Sequence, residues 1–78
     1  MMRRAQFEET LRSHLWRTPF RPFIIELEDG RQLVVEQKQM LSYYTGDSAL
    51  YLRPDGTGEF VDNEAVSRIV EKTADAPA

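Results

Sequence analysis

Apolar and polar positions alternate most regularly between Phe20 and Glu36, in the stretch F-R-P-F-I-I-E-L-E-D-G-R-Q-L-V-V-E. Alternation on both sides of Asp29-Gly30 predicts a β-hairpin with strands over about 23–28 and 31–37, because glycine supplies the positive φ of a tight reversal at little steric cost. Opposed residues of an antiparallel pair share a face, so loop length decides which side chains meet. A two-residue loop would set Gln32 and Glu36 among Phe23, Ile25 and Leu27. A loop of Glu28, Asp29 and Gly30 instead pairs Leu27 with Arg31, Ile25 with Leu33 and Phe23 with Val35, which makes one face almost wholly apolar. The pattern therefore favours the longer loop, with Gly30 in the left-handed region as a bulge. Ile24 and Val34 then form an apolar pair on the outer face, ready for another element or a partner.

Upstream, Phe7, Leu11 and Leu15 recur every four residues and predict a helix over about 4–16 with one apolar stripe. Glu8 and Arg12 are spaced to pair across a turn. So short a helix needs its stripe buried across the open end or face of a curved sheet. Trp16 is expected to broaden the stripe and anchor helix to sheet; the alternative is that the same residues form a partner-binding ridge. Thr18-Pro19 ends the helix, and residues 17–22 form a connector. Its Pro19-Phe20-Arg21-Pro22 has the spacing of polyproline ligands, but the favoured reading is a stiff crossing anchored by Phe20 and Phe23.

Downstream, Gln37 to Leu41 breaks the alternation and predicts one helical turn or a bend, with Met40 or Leu41 filling the core. Strands follow over about 42–45 and 48–53, around Gly46-Asp47. Leu50 and Leu52 are expected to face inward. Tyr43, Tyr44 and Tyr51 join Ile24 and Val34 as candidate partner contacts, either stacking on bases and peptide side chains or packing in the sheet with their hydroxyls at the surface. Pro54 to Gly58 reverses the chain into a strand over about 59–61, which with 66–71 closes the sheet. Val61, Ala65 and Ile69 sit at helical spacing behind Asp62, so a terminal helix is the alternative there. Residues 1–72 form a single domain, and 73–78, without large apolar side chains, are expected to be a flexible tail.

A chain of 78 residues has a small core, which makes oligomerisation a natural source of further burial. The lack of cysteine removes disulfides and thiolate metal sites. No apolar run approaches the roughly 20 residues of a membrane span, and Glu8 and Glu9 fall where a secretory leader would be apolar, so a cytoplasmic location is expected. His14 is the single histidine, with no second His or Cys to complete a nucleophilic or metal-binding set. Asp29, Asp47 and Asp55 fall in turns and Glu26 and Glu36 on a strand face, not in the contrasting environments that paired acid–base catalysis needs. The expectation is a protein without enzymatic activity, cofactor or metal. A net charge of −3 hides an asymmetry, because Arg3, Arg4, Arg12, Arg17 and Arg21 make the first segment basic and leave the body acidic. These five are candidate anion contacts, unless the arm is drawn to its own body.

The order of helix, hairpin, hairpin and closing strand resembles SH3-like and Sm-like small β-barrels. The segment Pro19 to Arg31, P-F-R-P-F-I-I-E-L-E-D-G-R, is similar to one in a group of small uncharacterised bacterial proteins. The resemblance implies a mainly β chain with an N-terminal α-helix, folded as a five-stranded, partly open barrel. An Sm-like protein would imply a ring and RNA binding. Arg68-Ile69 stands where that family has Arg-Gly, and no Asn-bearing loop follows the second strand, so no RNA-contacting residue is carried over. The function expected is a small protein-binding or self-assembling domain with a homo-oligomeric or protein partner and no membrane partner. Binding of RNA or single-stranded nucleic acid through the basic arm is the alternative.

Overall fold

Strands β1 (Phe23–Leu27) and β2 (Gln32–Val35) pair in the register that the longer loop requires, with Phe23 opposite Val35, Ile25 opposite Leu33 and Glu26 opposite Gln32. The computed structural model describes residues 1–45 and 47–72, without the side chains of 43–45. At the loop the Leu27 N–H donates to the Arg31 carbonyl at 2.8 Å, the Gly30 N–H donates to the Leu27 carbonyl at 3.0 Å, and Gly30 has φ +92°. Asp29 Oδ1 accepts the Arg31 N–H at 3.0 Å and braces the turn from its side chain. Phe23, Ile25, Leu27, Leu33 and Val35 are all buried, as the register argument expects. Pro54-Asp55-Gly56 repeats the device: Gly56 has φ +95°, Asp55 Oδ1 accepts the Thr57 N–H at 2.9 Å, and Arg53 N–H donates to the Thr57 carbonyl at 2.8 Å.

Helix α1 (Arg4–Leu15) has no side-chain cap at Arg3 and no acidic residue in its first turn. It is held by burial of Phe7, Leu11 and Leu15, the stripe read from the spacing. A second hold comes from Met2, which is itself buried. Its N–H donates to the Asn63 carbonyl at 3.0 Å, and Asn63 Nδ2 donates to the Met2 carbonyl at 2.9 Å. Trp16 is not the anchor the sequence suggests: it is 55 % exposed. One residue beyond Leu15 is about 100° around a helix of 3.6 residues per turn, which takes the indole off the buried stripe.

After β2 come one 3₁₀ turn (Lys38–Met40) and four strands: β3 (Leu41–Thr45), β4 (Ser48–Leu52), β5 (Gly58–Asp62) and β6 (Val66–Glu71). They form two three-stranded antiparallel sheets, ordered β2-β1-β6 and β3-β4-β5, around a shared core. The chain is mainly β with an N-terminal helix, but its sheets do not close into one barrel. Two expectations change. The single closing strand over 59–61 and 66–71 is two strands in different sheets, making six strands among the described residues in place of five. Asp62 turns the chain between them, its carbonyl and Oδ1 both accepting the Ala65 N–H, at 3.1 and 3.0 Å. The helix alternative for 61–69 also fails, because β6 pairs along β1 and sets fully buried Val66 opposite Leu27.

The inward face of β4 is the reverse of the one expected. Ala49 and Tyr51 are buried, whereas Leu50 is half-buried and Leu52 is 37 % exposed. Register explains this inversion: Tyr51 lies opposite Leu41 and Ala49 opposite Val61, both buried, so the flanking strands fix which face of β4 points in.

Candidate interaction surfaces

With Ala49 and Tyr51 inside, the outer face of the second sheet carries an apolar row. Leu50 lies opposite Phe60, and Leu52 lies opposite Gly58. Phe60 is 65 % exposed, more than any other aromatic residue described. Beside this row a groove of about 410 Å³ is walled by Met40, Leu52 and Pro54, with Glu36, Gln37, Gln39 and Arg53 at its margin. Its charged liners are already matched within the chain: Lys72 Nζ lies 2.6 Å from Glu36 Oε1, and Arg53 Nη2 lies 2.5 Å from Glu59 Oε1. The face thus combines a projecting ring, a neighbouring hollow and, beside Phe60, a second concavity lined by Asp47, Asp62 and Glu64. Alternation alone misses it by assigning Leu50 and Leu52 to the core.

Glu59 sits opposite Tyr51 and is half-buried. Its carboxylate is tolerated there because two arginines reach it, Arg31 Nη2 at 2.7 Å and Arg53 Nη2 at 2.5 Å. Arg31 also holds Asp29 at 2.9 Å, so the Asp-Gly-Arg turn of the first hairpin is tied to β5. The Arg53 guanidinium stands 5.3 Å from the centroid of the Tyr51 ring. Hydrogen bonds from Arg31 and then Arg53 hold the Glu59 carboxyl below its ordinary value of 4.5. A depressed carboxyl stabilises the fold fully above its ordinary pKa, and that contribution is lost as pH falls through the depressed value. The expected result is that Glu59→Gln narrows the gap between urea midpoints at pH 7 and pH 3. An unchanged gap would mean that this cluster has no part in acid sensitivity.

The residues singled out from sequence fall into separate groups. Ile24 and Val34 lie opposite each other, half-buried, and Val70 extends the row across β6. Ion pairs border that row, Glu26 with Arg68 at 2.7 Å and Glu36 with Lys72 at 2.6 Å. Tyr51 is not a surface contact: it is 7 % exposed, and its hydroxyl donates to the Val34 carbonyl at 2.8 Å. The side chains of Tyr43 and Tyr44 lie outside the described residues. Comparison with family models, curated proteins and solved structures finds no match. The chemistry of these surfaces is therefore what bears on function.

The five arginines of the first segment do not act as one patch. Arg17 and Arg21 both engage Glu71, Arg21 Nη1 at 3.6 Å from Oε1, so for these two the pull of the body is real. Arg12 lies over Trp16, 4.9 Å from its ring centroid. Arg3 and Arg4 are exposed at the start of α1. His14 packs on Phe23 with ring centroids 4.8 Å apart, and its Nδ1 is buried without a hydrogen-bond partner. Burial, then the Arg17 charge, push the imidazole below its ordinary value, against an opposing pull from Glu71. Among the described residues, no group of three or more His, Cys, Asp or Glu is placed to hold a metal ion, and no helix is long and apolar enough to cross a membrane.

Proposed function

We propose that this chain is a non-enzymatic, self-assembling domain that forms a homodimer through the outer face of β3, β4 and β5. The observation that carries the reading is the pairing on one face of a projecting Phe60 with the hollow of Met40, Leu52 and Pro54. A two-fold contact presents the same patch from both copies, so a knob and a hole side by side are self-complementary. At the groove, charge is compatible with a second copy as occupant. The margin consists of the amides of Gln37 and Gln39 together with Glu36 and Arg53, which are paired with Lys72 and Glu59, while the carboxylates of Asp47, Asp62 and Glu64 beside Phe60 limit the contact to orientations that keep them apart from their copies. The Ile24, Val34 and Val70 row is less suited, because its side chains are already half-buried and leave less apolar surface to cover than Phe60 does. The bond from Tyr51 to Val34 links the sheets and supports viewing them as the halves of an SH3-like small barrel.

Sedimentation velocity across a concentration series tests the assembly. A dimer is expected at high micromolar concentration, and Phe60→Ser is expected to weaken it about thirtyfold or more, the loss typical of an interface hot spot, while leaving the circular dichroism unchanged. A strict monomer at those concentrations, or a dimer indifferent to Phe60→Ser, would overturn the reading.

A further inference from the structure

Trp16 is the only tryptophan in the chain, and it stands at the end of α1 with more than half its surface in water. The core has no call on it, since the helix already buries Phe7, Leu11 and Leu15. The guanidinium of Arg12 lies 4.9 Å from the indole centroid, which steadies the ring while most of it stays open to solvent. Immediately along the chain, Arg17 and Arg21 share the single carboxylate of Glu71, and Arg21 remains 61 % exposed. Two cations on one anion leave a positive charge over.

The overall charge of −3 does not cancel this local excess. Asp47, Asp62 and Glu64 gather around Asn63, and Asn63 is bonded to Met2, beyond the opposite end of α1. A helix of 12 residues is about 18 Å long, roughly twice the Debye length at physiological salt. Glu8 and Glu9 line one surface hollow with Arg12, so the positive excess at this end rests on Arg17 and Arg21. The end that carries Trp16 is thus basic and aromatic, while the carboxylates of Asp47, Asp62 and Glu64 lie at the other end, where Arg3 and Arg4 also stand.

We infer that the C-terminal end of α1 is a binding surface for single-stranded nucleic acid, with a base stacked on Trp16 and phosphates taken by Arg12, Arg17 and Arg21. Planar aromatic surface beside arginines suits a ligand that has both a π-face and a chain of anions, and stacking needs no particular base. A membrane surface fits less well, because interfacial helices insert an apolar face and the apolar face of α1 is already in the core. This surface is distinct from the Phe60 face, and the inference stands whether or not the chain dimerises.

The single tryptophan is its own reporter. Titration with oligouridine and oligothymidine at low salt is expected to quench its fluorescence to saturation and to lose affinity as salt is raised. By anisotropy of a labelled oligonucleotide, Trp16→Ala is expected to weaken binding about fivefold to a hundredfold, the loss that one stacked base brings. Trp16→Phe should recover part of it. Arg12→Gln and Arg21→Gln should each lower the slope of log affinity against log salt by about 0.7. Three results would overturn the assignment: no association at low salt, binding that Trp16→Ala leaves unchanged, or binding to phosphatidylglycerol vesicles with none to the oligonucleotides.

Discussion

Phe23→Ala is expected to leave the chain largely unfolded, whereas Trp16→Ala is expected to leave it folded with almost the same urea midpoint. Phe23 has no exposed surface and is the side chain on which three parts of the fold meet. It belongs to β1, and its ring lies 4.8 Å from that of His14 on the helix and 6.0 Å from that of Phe20 in the connector. Truncating a buried Phe costs about 3–5 kcal/mol, and a chain of this length has a total stability of about 4–12 kcal/mol. Phe23→Leu, which keeps most of the volume, should cost clearly less and remain foldable. Trp16 by contrast loses an exposed cation–π contact worth about 0.5–1 kcal/mol. Far-ultraviolet circular dichroism serves for all three variants. A Trp16→Ala as damaging as Phe23→Ala would put the indole back in the core and remove the stacking surface with it.

The difference between these two aromatic residues shows where the sequence was readable. The hairpin was legible because Asp29-Gly30 fixes a turn and only one loop length collects Phe23, Ile25, Leu27, Leu33 and Val35 on one face. The helix stripe was legible for the same reason, its four-residue spacing being a local property. Trp16 was misread although its position, one residue past Leu15, already places it off that stripe. Burial of Met2 was not legible, since it depends on bonds to Asn63 at the other end of the chain. Nor was the clamp on Glu59, whose two arginines come from different turns. The candidate dimer face was hidden by hydrophobicity itself: in a strand with Leu at 50 and 52 and Ala at 49, pattern alone sends the larger apolar residues inward. The neighbours decide otherwise, because Leu41 and Val61 require Tyr51 and Ala49 beside them.

That inversion makes β4 the place for the second large effect. Tyr51→Ala is expected to cost about 3–5 kcal/mol, as for other buried aromatic residues, and Tyr51→Phe only about 1 kcal/mol. The ring contributes packing opposite Leu41 and the platform beneath Arg53, both of which phenylalanine retains. The hydroxyl contributes one bond, at 2.8 Å, to the Val34 carbonyl. Because β2 is an edge strand of the first sheet and Tyr51 belongs to the second, that bond ties one sheet to the other. Leu52→Ala, on the same strand but 37 % exposed, should cost less than Tyr51→Ala by a wide margin. Urea denaturation of the three variants gives the ordering directly. If Leu52→Ala proved the costlier change and Tyr51→Ala nearly neutral, the strand would face the other way, and the apolar surface assigned to self-assembly would be the core.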